Sequence, residues 1–170
     1  MDLHHLIRDI PDFPQPGIVF KDITPLLKDH AGLAAAVDAM AAPWAEEHID
    51  TVLAVEARGY LLGTPVALRL GAGFVPARKP GKLPYETVSV DYDLEYGSDT
   101  IEMHRDGVEA GQRVLIVDDI LATGGPLAAA IRMVEGAGAE VAGLSVLAEL
   151  GFLEGRAKLQ GYRLEAVMTL

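Results

Sequence analysis

The run Val114-Leu115-Ile116-Val117-Asp118-Asp119-Ile120-Leu121-Ala122-Thr123-Gly124-Gly125 opens with four branched apolar residues and breaks on two adjacent carboxylates. Branched residues in succession read as a strand covered on both faces of a parallel sheet. Packing alone gives no reason to end such a strand, here read as Arg113–Val117, with Asp118 and Asp119. Those acids fall outside the strand's carboxyl end, where open α/β sheets bind ligands. The loop Ala122-Thr123-Gly124-Gly125 and Pro126 then lead into the helical pattern Leu127, Ala130, Ile131, Val134. Backbone N–H groups at a helix start, with the dipole behind them, hold a phosphate. Paired carboxylates suit a diol, whose hydroxyls each donate a hydrogen bond. Together they describe a cradle for ribose 5-phosphate. Capping and turn geometry explain each feature singly, but not their combination on one hydrophobic strand.

Further apolar, β-branched runs lie at Thr51–Val55, Gly73–Ala77 and Val141–Leu147, with helical patterns at Leu33 to about Glu47, Leu61–Leu70 and Leu127–Gly136. This alternation predicts a doubly wound, mainly parallel α/β sheet. Gly136 and Gly138 serve as helix stop and turn; Val141 stands where a dinucleotide fingerprint needs its third glycine. One segment departs from the α/β rhythm. Val88, Val90, Tyr92, Leu94 and Tyr96 alternate with polar residues, and Ile101 and Met103 continue the period after Gly97. That pattern predicts an antiparallel hairpin with one packed face. Before it, Pro80–Pro84 reads as a mobile loop, and the proline-rich Asp12–Pro16 region as an extended arm.

With 170 residues, 50% of them hydrophobic, the chain can bury one ordinary core, so a single domain over 1–170 is expected. No apolar stretch reaches the ~18 residues that span a bilayer, which argues against a membrane partner. Asp2, Arg8, Asp9 and Asp12 interrupt any signal-peptide core, and there is no cysteine, so a cytoplasmic protein is expected. A net charge of −11 argues against nucleic acid. Yet Ala57–Tyr85 holds no acid and includes Arg58, Arg69, Arg78, Lys79 and Lys82. A basic island in an acidic chain points to an anion. His4, His5, His30, His48 and His104 show no metal-ligand spacing, and Trp44 reads as core.

The Val114–Gly125 run resembles the signature of the type I phosphoribosyltransferases, which use 5-phosphoribosyl 1-diphosphate (PRPP). Pro16-Gly17-Ile18-Val19-Phe20-Lys21-Asp22-Ile23-Thr24-Pro25, Glu56-Ala57-Arg58-Gly59-Tyr60, Val75–Pro84 and Leu94-Glu95-Tyr96-Gly97 resemble the adenine-using branch of that family. The likeness runs from about residue 10 to residue 160, in the family's order. It implies that adenine and PRPP give AMP and diphosphate, with Mg²⁺ on PRPP held mainly by substrate and water, and that the chain forms a homodimer. It also implies an arm that hoods the purine and a loop that closes over PRPP.

Under this resemblance Ala57, Arg58, Gly59, Arg78, Lys79 and Lys82 hold the diphosphate, Arg58 as a fork-shaped donor and Gly59 by allowing close approach. Asp118, Asp119 and Ala122–Pro126 hold the ribose and its phosphate. Phe20 offers a stacking face, and the backbone of Val19 and Lys21 reads the purine's six-position. Glu95 takes the ring proton, Tyr96 gates, and Arg58 and Glu95 are the catalytic candidates; the region of Glu149 lines the purine pocket. The sequence departs from the family at Pro126, where Thr or Ser is usual: proline removes one N–H and one hydroxyl from the cradle. Two other readings use the same scaffold. One is a transferase for hypoxanthine, guanine or xanthine; the other is a PRPP-sensing regulator, expected to add a basic DNA-binding segment that this sequence lacks.

Overall fold

A computed structural model describes residues 2–94 and 96–170. Its centre is β7 (Arg113–Leu121), the middle strand of a five-stranded parallel sheet. The order is β4 (Gly73–Ala77), β3 (Thr51–Val55), β7, β8 (Glu140–Glu149), β9 (Leu164–Thr169). Val114–Val117 are all fully buried because both faces of the sheet are covered. Alternate residues go to opposite sides. Val114 and Ile116 pack towards α4 (Gly125–Gly136) and the hairpin of β5 (Thr87–Asp93) and β6 (Ser98–His104). Leu115 and Val117 pack towards α2 (His30–Ala41) and α3 (Arg58–Leu70). This is the doubly wound architecture expected. The hairpin is antiparallel as expected, pairing Val88 with Met103 and Val90 with Ile101.

Several boundaries differ from the sequence reading, each for a local reason. β7 does not stop at Val117. It pairs with β3 only that far, but continues along β8 to Leu121, opposite Glu149. Asp118 and Asp119 therefore lie inside a paired strand, at the point where it outruns one neighbour. β8 likewise extends beyond Val141–Leu147 at both ends. α2 begins at His30 rather than Leu33, because the Asp29 side chain accepts from the Gly32 N–H at 2.7 Å. It ends at Ala41 rather than near Glu47, with Pro43 in the tighter turn Ala42–Trp44, since proline blocks further helix. α3 starts at Arg58, before Leu61, and α4 at Gly125, which makes Pro126 its second residue.

Three strands carried too weak a pattern to be read. β9 is a sheet edge of mixed composition. β1 (Arg8–Ile10) and β2 (Phe20–Asp22) pair antiparallel and flank the arm, whose Asp12 carboxylate accepts from the Gly17 N–H at 2.8 Å. Between β2 and α2 lies a short helix, α1 (Thr24–Lys28). No helix among the described residues is long and apolar enough to cross a membrane.

Candidate active site

The carboxyl ends of β3, β4 and β7 bring three loops to one rim, as parallel strands must. At the end of β7, residues 122–124 bend through Gly124, whose φ of 81° lies in the left-handed region, into α4. No side chain caps α4. A cavity of about 80 Å³ joins Asp118 to Thr123, Gly124, Pro126 and Leu127. A turn after β8 braces this loop: a Cβ on Gly124 would fall 2.6 Å from the Gly155 carbonyl oxygen.

The acid pair is tightly held. Asp119 is only 4% exposed. Asp118 Oδ1 accepts from the Asp119 N–H at 2.8 Å. Burial, then the Asp119 charge, drive the Asp118 carboxyl well above the usual carboxylate range, against the pull of that N–H and of Arg58. Gly59 is required here by packing: a Cβ on it would meet Asp118 Oδ1 at 2.9 Å.

Arg58 makes its contacts with the acid pair and with the arm. Its Nε lies 2.9 Å from Asp119 Oδ2, but off the N–H direction, so that buried oxygen accepts no hydrogen bond. Its guanidinium sits 4.8 Å from the centre of the Phe20 ring, and Nη1 donates to the Lys21 carbonyl at 3.4 Å. Arg58 thus joins the acid pair to the arm. Phe20 also meets Phe13 edge-on at 5.2 Å, Val19 is exposed, and the Lys21 ammonium is paired with Asp9 at 2.8 Å.

Among the basic residues of the second loop, the hub is an acid that the sequence reading assigned no role. Glu56 follows β3 and accepts from Lys82 Nζ at 2.6 Å and from the Lys79 N–H, with Arg78 Nε at 3.9 Å. Burial would raise its carboxyl, but Lys82 and the Lys79 N–H hold it below its ordinary value. The peptide bond between Glu56 and Ala57 is cis. Lys79 is engaged by the hairpin: its ammonium meets the Asp99 carboxylate and, at 3.0 Å, the Tyr92 hydroxyl. The Pro80–Pro84 loop is fastened at its start, where the Gly81 N–H donates to Glu102 at 3.3 Å and Arg78 Nη1 donates to the Lys82 carbonyl at 3.3 Å. Tyr96 is 88% exposed at the hairpin tip. Glu95 lies outside the described residues. Glu149 is an ion-pair partner of Arg156 at 2.5 Å. The sequence signals for Glu56 were its place at the head of the family-like segment Glu56–Tyr60 and as the last acid before the basic island.

Over residues 20–163 the chain matches the phosphoribosyl transferase domain family. It is 59% identical over 164 residues to the adenine phosphoribosyltransferase of Thermobifida fusca, covering 96% of this chain and 93% of that one. The crystal structure of adenine phosphoribosyltransferase from Thermoanaerobacter pseudethanolicus superposes with a TM-score of 0.96 at 50% identity, over 99% of this chain and 98% of that one. The Saccharomyces cerevisiae enzyme, complexed with an imino-altritol bisphosphate and adenine, superposes with a TM-score of 0.91 at 39% identity, over 97% and 96% of the two chains.

Proposed function

Because the chain belongs to the adenine phosphoribosyltransferases of the phosphoribosyl transferase domain family, we propose a division of labour for its residues in that reaction. The enzyme joins adenine to PRPP, giving AMP and diphosphate. A bond forms from the purine ring nitrogen to the anomeric carbon, the bond to the diphosphate oxygen breaks, and the ring nitrogen gives up a proton.

The observation that carries the assignment is the juxtaposition of Asp118 and Asp119 with the uncapped start of α4 and with Arg58, which reaches the arm. The carboxylates take the two ribose hydroxyls, and Asp119 Oδ2 has an acceptor position to spare. The loop Ala122–Pro126 takes the phosphate through its N–H groups. Adenine stacks on Phe20, with Arg58 against that ring, and the backbone of Val19 and Lys21 reads its six-position. Glu95 accepts the ring proton. Arg78 and Lys82 take the diphosphate; Lys79 reaches it only by leaving Asp99. Positive charge grows on the sugar and negative charge on the leaving group, so these residues act by alignment and fixed electrostatics.

Among the described residues no group of three or more His, Asp or Glu is placed to hold a metal ion, but hard carboxylate oxygens at Asp118 and Asp119 fit Mg²⁺ that arrives on PRPP. Asp118 and Asp119 would be its protein partners, the rest of its hold coming from substrate and water, and it would supply charge neutralisation at the diphosphate. The reading includes one domain over 1–170, in which the apolar packing on both faces shares one sheet, and a homodimer, with Leu61 and Leu68 exposed two turns apart on α3. It also places the acidic, cysteine-free chain in the cytoplasm.

AMP formation from adenine, PRPP and Mg²⁺, with hypoxanthine as the competing base, tests the assignment. A carbonyl in place of the six-amino group reverses donor and acceptor, which costs orders of magnitude in rate at a site built for one of them. Adenine should be strongly preferred; comparable kcat/KM for hypoxanthine would overturn the reading.

A further inference from the structure

Glu56 touches each basic residue of the diphosphate loops except Arg58. Its side chain is only 9% exposed, yet it binds Lys82 Nζ at 2.6 Å and the Lys79 N–H, and stands 3.9 Å from Arg78 Nε. A carboxylate so placed is charged and fixed by β3 behind it and by Lys79 at the end of β4. It therefore occupies the same lysine that an arriving diphosphate needs. One ammonium cannot fully satisfy two anions, and the two anions repel each other across it. A competing anion beside a product site lowers the affinity for that product and so favours its release.

We propose that Glu56 is a positioning residue that acts as an internal anion: it holds Lys82 and the Lys79 backbone in place and exchanges Lys82 with the diphosphate, easing departure of the leaving group. The proposal rests on the assignment of Arg78 and Lys82 to the diphosphate. Glu56 acts through Lys82 and needs no contact with the sugar or the base. Asp99 stands in the same relation to Lys79, but the Tyr92 hydroxyl and the hairpin also hold that pair, so Glu56 is where exchange shows most directly.

Calorimetric titration with diphosphate in the presence of Mg²⁺, and separately with AMP, distinguishes this role from a purely structural one. Glu56→Gln keeps an acceptor for the Lys79 N–H but removes the charge. It should bind diphosphate about tenfold more tightly, the effect of deleting one charge a few ångströms from an anion at a half-exposed site, while AMP affinity stays unchanged. A structural role predicts the reverse, with both affinities falling. Unchanged or weaker diphosphate binding in the folded variant overturns the proposal. Should Glu56→Gln not fold, Glu56→Asp draws the carboxylate back from Lys82 by one methylene. It should tighten diphosphate binding about twofold to threefold, and no tightening overturns the exchange. Lys82→Gln separates the two layers of the argument. If it leaves diphosphate affinity intact, the assignment of Lys82 has failed; if it weakens binding while Glu56→Gln changes nothing, only the exchange has failed.

Discussion

Asp118 and Asp119 are neighbours in the chain, and burial, then the Asp119 charge, push the Asp118 carboxyl well above the usual carboxylate range. The consequence for stability has a definite sign. A raised carboxyl means that the folded chain binds this proton more tightly than the unfolded chain does. The penalty for ionising Asp118 is absent below the unfolded value near 3.8, grows as pH rises above it, and is fully present above the folded value. Asp118→Asn keeps the shape and the bond from the Asp119 N–H. It should raise the melting temperature at neutral pH by about 2–6 °C, with the gain vanishing on acidification below pH ~4. PRPP affinity should fall about 10- to 100-fold for loss of a charged acceptor to the diol. Thermal scans across pH and PRPP titration check both; a lower melting temperature at neutral pH would make this carboxylate structural. Pro126, the second residue of α4, offers neither the N–H nor the hydroxyl that a threonine there would present to the phosphate under the proposed assignment. Pro126→Thr should tighten AMP by a few-fold up to ~100-fold and leave the adenine KM nearly unchanged, with a small loss of stability. Calorimetry of AMP binding decides, and equal affinity would mean that the loop already satisfies the phosphate.

The loop that leads into α4 is held from two sides by elements distant in sequence. A Cβ on Gly125 would meet the Tyr92 ring of β5 at 3.1 Å, and one on Gly124 would strike the Gly155 carbonyl of the turn after β8. These contacts make the loop a rigid seat rather than a free connection. Gly124→Ala combines a left-handed φ with that clash and should cost about 2–4 kcal/mol in urea unfolding, with weaker AMP binding alongside. Wild-type stability in that variant would mean that the turn yields to the loop. The hairpin has a second fastening in Lys79, which spans from the end of β4 to Asp99 and Tyr92. A residue read from the sequence as part of the diphosphate site thus also ties the hairpin to the sheet.

At the scale of the whole molecule, the net charge of −11 and the basic island are reconciled by pairing. Arg58 meets Asp119, Lys79 meets Asp99 and Lys82 meets Glu56, so the rim is a set of neutralised pairs rather than a bare positive patch. If the proposed homodimer forms, sedimentation at micromolar concentration should give about twice the 18.1 kDa chain mass, and a species at the chain mass would refute it. By itself the sequence determined the parallel sheet, its central run Val114–Val117, the small-residue loop that leads into α4, and the hairpin. Each has a local signature: branched runs, two-residue alternation, or small residues before a helical period. The tertiary structure alone decided how far β7 runs past β3, the pairing of β1 with β2, and the edge position of β9. It also turned Arg58 towards Phe20, Lys79 towards Asp99, and Glu56 into the hub of the second loop. Those outcomes depend on which side chains from separate segments meet at the strand ends, and no local periodicity carries that information.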